Sequence, residues 1–233
     1  VLLGEKIREL FWPLGQPPPN GRVVLSAGPA GPHRPGARLQ LAPRDRQSNG
    51  LRQFFESLQG KARMSILDLG GASQANVNFI TEQGHKLYTE DLLVGLDRLA
   101  SLTREPGSRD SLPTRFVEDS LNFSAAEFDG ILVWDMLEFL DEDVLAAAVA
   151  RLQTVLKPGG TLLSFFHTHA KGESVPVYRY QIRDRQTLHL HPRLVRPLPR
   201  AFNNRHLERM FVNFHSVKFF LSKENLREVI VTR

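Results

Sequence analysis

Acidic side chains follow several apolar segments of this sequence, at the positions where short strands would end. Residues 64–69 form a largely apolar run that contains Asp68 and leads directly into Gly70, Gly71 and Ala72. Glycines after a buried strand let the backbone turn sharply and let a ligand approach the main chain closely. In open α/β sheets, ligands bind outside the carboxyl ends of the strands, which is where this turn would lie. The sequence therefore predicts a nucleotide-type pocket near residue 70.

A second carboxylate lies where nucleotide-binding folds place a ligand for ribose. Residues 86–91 are typical of a strand that ends in Asp91, twenty-three residues beyond Asp68, close to the roughly twenty-residue spacing of ribose-binding acids. An ionised carboxylate can accept hydrogen bonds from both ribose hydroxyls, and these bonds are stronger than neutral ones. Glu90 is the alternative ligand, but the strand phase and the following Leu92 favour Asp91.

The glycine spacing separates three kinds of nucleotide site. Residues 70–75 read GGASQA, which fits neither the dinucleotide pattern G-x-G-x-x-G nor the P-loop. The segment instead resembles the first motif of class I S-adenosylmethionine-dependent methyltransferases, an acidic residue followed by G-x-G-x-G. Asp68 and Gly70 match this motif, whereas Ala72 and Gln74 replace its second and third glycines.

The segment LKPGG at residues 156–160 is the most specific part of the resemblance. Together with the preceding Phe128-Asp129 pair and Glu138, it is similar to the type 11-like methyltransferases, and the resemblance covers about residues 50–168. In physical terms, Pro158 cannot continue a helix and the two glycines permit a turn. We therefore expect a helix to end here and a strand to follow.

The resemblance implies an α/β fold with a doubly wound, Rossmann-like, seven-stranded sheet, mostly parallel and closed by a C-terminal antiparallel hairpin. The alternation of strand and helix patterns along the chain agrees with that architecture. We place the strands at 64–69, 86–91, 115–118, 128–134, 160–166, 215–221 and 226–232, and helices at 49–60, 141–156 and 203–211. Residues 1–48, rich in proline, glycine and arginine, form an N-terminal extension. Residues 49–233 form the methyltransferase domain, with a basic insertion at about 170–202 that we expect to cover the acceptor site.

The resemblance also implies that S-adenosylmethionine is the cofactor, bound at the carboxyl ends of the strands. In this interpretation the turn binds the methionine moiety, Asp91 binds the ribose, Asp119 accepts from the adenine amino group, and Trp134 faces the methyl group. The candidate cofactor-binding residues are Asp68, Gly70, Gly71, Ala72, Asp91, Leu92, Asp119, Ser120 and Trp134.

No catalytic residue is assigned by the sequence, but two candidates follow from position. Asp135 ends the fourth strand and His167 follows the fifth, both at the pocket side of the sheet. Many relatives carry a histidine where this chain has Phe139, so an inherited base at that position is absent. A histidine near a strand end is more often structural, and both roles stay open for His167. We expect no metal site.

Composition limits the reaction classes. The 233 residues include no cysteine, and this absence excludes disulfides, thiolate metal sites and cysteine nucleophiles. The formal net charge is +5. No apolar run is long enough to span a membrane, and charged residues soon interrupt the apolar start at Val1, so we expect a cytoplasmic protein. A small-molecule acceptor is favoured. Nucleic acid is the alternative acceptor, bound through the arginine-rich residues 178–209.

Two further classes of function stay open at this point. The departures at Ala72, Gln74 and Phe139 motivate a non-catalytic, methyltransferase-like scaffold. A nicotinamide-dependent oxidoreductase would share the strand–glycine–helix start, although the glycine spacing disfavours it.

Overall fold

The computed structural model describes residues 42–61, 63–102, 112–221 and 225–233. Most of the predicted extension, residues 1–41, therefore lies outside the described residues. The described helices and strands are, in chain order, β1 (Arg44–Gln47), α1 (Asn49–Ser57), β2 (Ser65–Asp68), α2 (Gln74–Glu82), β3 (Lys86–Thr89), α3 (Leu92–Leu102), α4 (Leu112–Ser120), β4 (Phe128–Trp134), α5 (Glu142–Val155), β5 (Leu156–His167), β6 (Ser174–Ile182), β7 (Thr187–Pro197), α6 (Asn204–Met210), β8 (Ser216–Phe220) and β9 (Leu226–Thr232). A single 3-10 turn, Leu137–Phe139, follows β4.

The central sheet has the strand order β3-β2-β4-β5-β9-β8 within the described part of the chain. Strands β3, β2, β4 and β5 are parallel, and β9 and β8 continue the sheet antiparallel. Helices connect the parallel strands, as crossover connections require. The predicted α/β class, the mostly parallel sheet and the C-terminal antiparallel hairpin are confirmed.

Apolar side chains on successive residues of the central strands point to opposite faces of the sheet. On β4, Ile131 and Val133 join the cluster formed with α3, α4 and α5, whereas Leu132 and Trp134 join the cluster that contains α1 residues. Both faces are thus covered, which explains why β4 is a continuous apolar run. The carboxyl ends of the parallel strands remain as the edge where polar groups can collect.

The predicted strand at residues 115–118 is wrong, because this segment lies within α4. Leu112, Phe116 and Ser120 are buried at a spacing of four residues, which is a helical stripe, and the alternation required of a strand is weaker. Pro113 lies in the first turn of the helix, where its missing N–H costs little. The central sheet consequently has six described strands, and the predicted count of seven is not confirmed.

The LKPGG segment ends α5 and forms an irregular start of β5. Phe128 pairs with Leu156 and Gly130 pairs with Thr161, so the residues between bulge out of the ladder. Gly159 has a φ of 74° there, which glycine adopts readily. Lys157 contacts Asp129 at 2.7 Å and so fixes the bulge against β4. The predicted helix end and following strand are confirmed.

The basic insertion forms a β-hairpin of β6 and β7, and β1 pairs with β7 to give a three-stranded antiparallel sheet. This regular structure was not predicted. Its signal is present in the alternation of Leu188 and Leu190, both buried, with His189 and His191. The carboxylate of Asp184 accepts hydrogen bonds from two amides of the connecting turn.

Glu228, a buried residue of β9, attaches β1 and the start of α1 to the central sheet. Its carboxylate accepts hydrogen bonds from Arg46 at 2.9 Å, from the Ser48 hydroxyl at 3.0 Å and from the Gly50 amide at 2.5 Å. Because β1 pairs with β7, this cluster also determines where the hairpin lies. None of the described helices is long and apolar enough to cross a membrane.

We expect Glu228→Gln to destabilise the protein by about 3 kcal/mol, because it leaves the buried guanidinium of Arg46 without its counter-charge. The matched control is Glu56→Gln, which removes an exposed pair with Arg52 at 3.9 Å and should cost under about 0.5 kcal/mol. Urea denaturation measures both. Equal losses for the two variants would contradict the role assigned to Glu228.

Candidate functional site

Asp68, at the end of β2, lies at the centre of the polar groups at the sheet edge. It is fully buried. Its carboxylate accepts hydrogen bonds from the Gly70 amide at 2.9 Å, from the Asn76 side chain at 2.7 Å and from the Trp134 indole at 2.6 Å. Burial raises the pKa of Asp68, and these three donors oppose the rise. The acid therefore holds the glycine turn, α2 and the end of β4 together.

Asn76 extends this network to the hairpin. Its side-chain amide donates to the Tyr180 carbonyl at 3.0 Å as well as to Asp68, and its oxygen accepts from the Ile182 amide at 2.8 Å. The Asn76 side chain thus makes the two backbone hydrogen bonds that a neighbouring strand would make to this part of β6. The hairpin is in this way bonded directly to the residue that supports Asp68.

Trp134 has a φ of 60°, a left-handed conformation that is rare for a bulky residue and is usually maintained by its surroundings. Its indole is bonded to Asp68, its carbonyl accepts from Ser164 at 2.9 Å, and its ring stacks on Tyr180 with centroids 4.8 Å apart and planes 4° apart. A Cβ at Gly70 would lie 2.6 Å from the indole. The space that the glycine leaves is therefore taken by Trp134 itself.

Asp91 follows β3 and faces the glycine turn, where it forms an isolated bridge with Gly70. Gly71 has a φ of 84°, and a Cβ there would lie 2.6 Å from Oδ2 of Asp91. The carboxylate is paired with Arg193 of β7, whose Nη2 lies 2.9 Å from Oδ2 and whose Nη1 lies 3.3 Å from Oδ1. Each side chain of this pair is 21% exposed. Both Asp68 and Asp91 thus lie at the turn, as predicted, and both contact other parts of the chain.

A second group of buried polar residues follows β4 and ends β5. Glu138 accepts from the His167 amide at 2.8 Å and contacts the His167 ring at Nδ1. Asp135 accepts from the Tyr178 amide at 3.4 Å. The buried Tyr180 hydroxyl lies beside the Asp135 carboxylate and interacts with it. The two catalytic candidates from the sequence, Asp135 and His167, thus belong to one cluster.

Burial dominates the electrostatics of this cluster. It raises the pKa of Asp135 to about 7, with a further rise caused by the charge of Glu138 and an opposing effect of His167. Burial also lowers the pKa of His167 to about 4 and raises that of Glu138. At neutral pH the histidine is therefore uncharged, and the raised pKa of Asp135 lies in the range that suits a proton acceptor.

The structure does not bring Asp119 to a strand end. It lies exposed in the last turn of α4, and Ser120 is buried against α3, where a Cβ at Gly95 would lie 2.4 Å from its hydroxyl. The prediction for both residues depended on the strand that proved to be a helix. Leu92 begins α3 and is fully buried, whereas Ala72 is exposed.

Four residues of the site were not predicted as such: Asn76, Glu138, Tyr180 and Arg193. Glu138 is a charged residue within the apolar segment 136–140, and this pattern could have identified it as buried and functional, whereas Tyr180 lies between Arg179 and Gln181 and carries no such signal. Asn76 lies in the helix that follows the glycine motif, and Arg193 was one arginine among many. No cluster of three or more metal-ligating side chains occurs in the described ranges.

Ser73 precedes α2 as its N-cap residue, but its hydroxyl makes no capping hydrogen bond. The hydroxyl is buried and has no partner in the part of the chain that the structure describes. The first amides of a helix are suited to bind an anion. The turn therefore presents an unused hydroxyl and a helix start beside the carboxylate of Asp91.

A family model described as a methyltransferase domain matches residues 40–214. The chain is similar to the solved 1,6-didemethyltoxoflavin-N1-methyltransferase of Burkholderia thailandensis, with 18% identity over 79% of this chain and 77% of that chain, at a TM-score of 0.43. It is also similar to a S-adenosylmethionine-dependent methyltransferase of Clostridium acetobutylicum, with 13% identity over 78% and 90% of the two chains and a TM-score of 0.44. A comparison with curated proteins found no match.

The raised pKa of Asp135 gives a pH-dependent stability. The group titrates near 3.8 when unfolded and at about 7 when folded, so its contribution is fully present below about pH 4 and is lost as the pH rises to about 7. We expect Asp135→Asn to gain stability relative to the parent over this window, by at most about 1.4 kcal/mol per pH unit. Chemical denaturation at several pH values measures the difference, and parallel profiles would contradict the assignment.

Proposed function

Because this chain belongs to the methyltransferase domain family, we propose that it binds S-adenosylmethionine and transfers its methyl group to a small-molecule acceptor. The cofactor supplies an electrophilic methyl group on a positively charged sulfur. The observation that supports this proposal is the pairing of two recognition groups at one sheet edge. Asp91 follows β3, and Ser73, whose hydroxyl has no partner among the described residues, immediately precedes α2.

The chemistry of these groups matches the two polar ends of the cofactor. Ser73 and the first amides of α2 are donors for the carboxylate of the methionine moiety. Asp91 is an acceptor for the ribose hydroxyls. Asp68 is fully buried and already has three donors, so it orients the turn and does not itself bind the ligand.

Asp135 is the residue that we assign to proton transfer. Its carboxylate lies at the end of β4, beside the Tyr180 hydroxyl, and its pKa of about 7 allows it to take a proton from the acceptor at neutral pH. His167 is less suited, because Nδ1 contacts Glu138 and burial lowers its pKa. On transfer, the bond from the methyl carbon to sulfur would break with its electron pair staying on sulfur, and the carboxylate of Asp135 would take the proton that the acceptor loses.

The proposal is tested by calorimetry with S-adenosylhomocysteine, the cofactor product. We expect the parent protein to bind it and Asp91→Ala to bind at least about tenfold more weakly. The reason is that two charge-assisted hydrogen bonds outweigh the partly exposed ion pair that is also lost. The matched control is Asp97→Ala on α3, which pairs with another hairpin residue, Arg196, and should bind like the parent.

If neither the parent nor Arg193→Gln, which removes the ion pair of Asp91, binds the cofactor product, the result would instead support a non-catalytic scaffold. Unchanged affinity in Asp91→Ala would remove the ribose role from this residue. Because Asp97→Ala removes a similar contact with β7, a comparable loss in both variants would indicate an effect on the hairpin and not on the ligand.

Single-stranded RNA is the second candidate acceptor, and one surface favours it. Arg179 and Arg183 are exposed on β6 and beside the connecting turn. Burial lowers the pKa of the nearby His191, and the positive charges of His189, Arg179 and Arg183 lower it further. The rings of His189 and His191 lie 4.3 Å apart, and rings of this kind stack on bases.

Three other arginines of the hairpin region already contact the protein and are not part of this surface. They are Arg193, paired with Asp91, Arg196, paired with Asp97, and Arg200, bonded to the Leu140 carbonyl.

If this surface binds RNA, affinity should fall log-linearly with salt, and replacing Arg179 and Arg183 by glutamine should reduce the slope by about 1.4. Arg205→Gln, an exposed arginine of α6, is the control. Filter binding at several salt concentrations gives the slopes. Negligible affinity at physiological salt would leave the small molecule as acceptor.

A further inference from the structure

We propose that Arg193 is a latch that competes with the cofactor for Asp91, so that the ribose is bound only after this guanidinium leaves the carboxylate. The inference rests on the proposed function, since it concerns the ribose-binding step. It adds a residue that sets cofactor affinity and lies outside the glycine motif, 102 positions from Asp91 in the chain.

The number of acceptor positions on Asp91 is the first argument. A carboxylate offers about four such positions. Oδ1 accepts from the Leu93 amide at 3.0 Å, from the Val94 amide at 3.4 Å and from Arg193 at 3.3 Å. Oδ2 accepts from Arg193 at 2.9 Å. At most one position is therefore left, and the two ribose hydroxyls cannot both be bound while Arg193 remains.

The surroundings of the carboxylate give the second argument. Gly71 lies against Oδ2, where even an added Cβ would be 2.6 Å away. The amides of α3 approach Oδ1 from the other side. The guanidinium occupies the remaining approach, so a ligand and Arg193 must use the same access to Asp91.

The latch can open without displacing the hairpin. On β6, Tyr180 is stacked on Trp134, and the backbone at Tyr180 and Ile182 is bonded to Asn76; these contacts are buried. By contrast, Arg193 on β7 and Asp91 after β3 are each 21% exposed. The side chain of Arg193 can therefore move into solvent while β6 stays in place, at the modest cost of a partly exposed ion pair.

An ion pair that opposes binding has a distinctive dependence on salt. Salt weakens a partly exposed pair, so salt should increase the fraction of protein with a free Asp91. The apparent affinity for a ligand is the intrinsic affinity multiplied by the fraction of protein that is competent to bind. The affinity of the parent for S-adenosylhomocysteine, which carries no net charge, should therefore rise with salt.

The experiment measures S-adenosylhomocysteine binding by calorimetry for the parent, Arg193→Gln and Arg196→Gln, at about 0.05 M and about 0.5 M salt. We expect Arg193→Gln to bind up to about fivefold more tightly than the parent at low salt, the most that a partly exposed pair can cost, and to show no gain with salt. Arg196→Gln removes the neighbouring exposed pair with Asp97 and should stay within about twofold of the parent. Arg193→Lys, which cannot form the two-pronged contact, should lie between the two.

The results distinguish failure of the Arg193 latch from failure of the proposed function. Binding by Arg193→Gln alone, or tighter binding by this variant, supports the latch. Equal or weaker binding by Arg193→Gln, with clear binding by the parent, overturns the latch and leaves the proposed function intact. If neither protein binds while thermal unfolding shows both to be folded, the proposed function fails and the latch with it.

Discussion

The carboxylate of Asp68 is buried where three segments of the chain meet, and each segment supplies a donor to it. Gly70 donates from the turn, Asn76 from α2 and Trp134 from the end of β4. Removing a partner from a buried charge strongly destabilises a protein. The three segments are therefore held in fixed positions around Asp68. The unusual backbone of Trp134 is one consequence, since its indole must reach Asp68 while its carbonyl remains bonded to Ser164.

The same network explains why the site is covered. Asn76 is shared between Asp68 and the backbone of β6, and Glu228 holds β1, which pairs with β7. The hairpin is thus attached to the central sheet on both of its strands. Asp135 is thereby removed from water. This burial, more than any neighbouring charge, raises the pKa of Asp135 to about 7. Covering this buried cluster and raising the pKa of Asp135 are two results of one arrangement.

The sequence predicted the parallel strands and the turn because both depend on local pattern. The apolar run that ends in Asp68 requires only burial on both faces of β2 and a sharp turn. The residues of β3 are exposed or half-buried, and this strand was located by the acids that follow it. The helix at 112–120 was mistaken for a strand because Phe116 and Val117 suit either structure, and only the burial of residues four apart decides. The pairing of Arg193 with Asp91 depends on a three-dimensional approach between distant positions. No pattern within the sequence distinguishes this arginine from Arg196 or Arg200.

The departures from the family motif have less effect on the turn than their positions suggest. Ala72 and Gln74 are exposed, and Gln74 bonds to Asn78 along α2 at 2.7 Å, so neither side chain obstructs the turn. Phe139 is buried at the position where relatives carry a histidine. In this chain a different histidine, His167 of β5, contacts the neighbouring Glu138. These substitutions therefore give little support to a non-catalytic module. Under the proposed function, release of the Asp91 carboxylate to a ligand is what would separate an active methyltransferase from a scaffold in this chain.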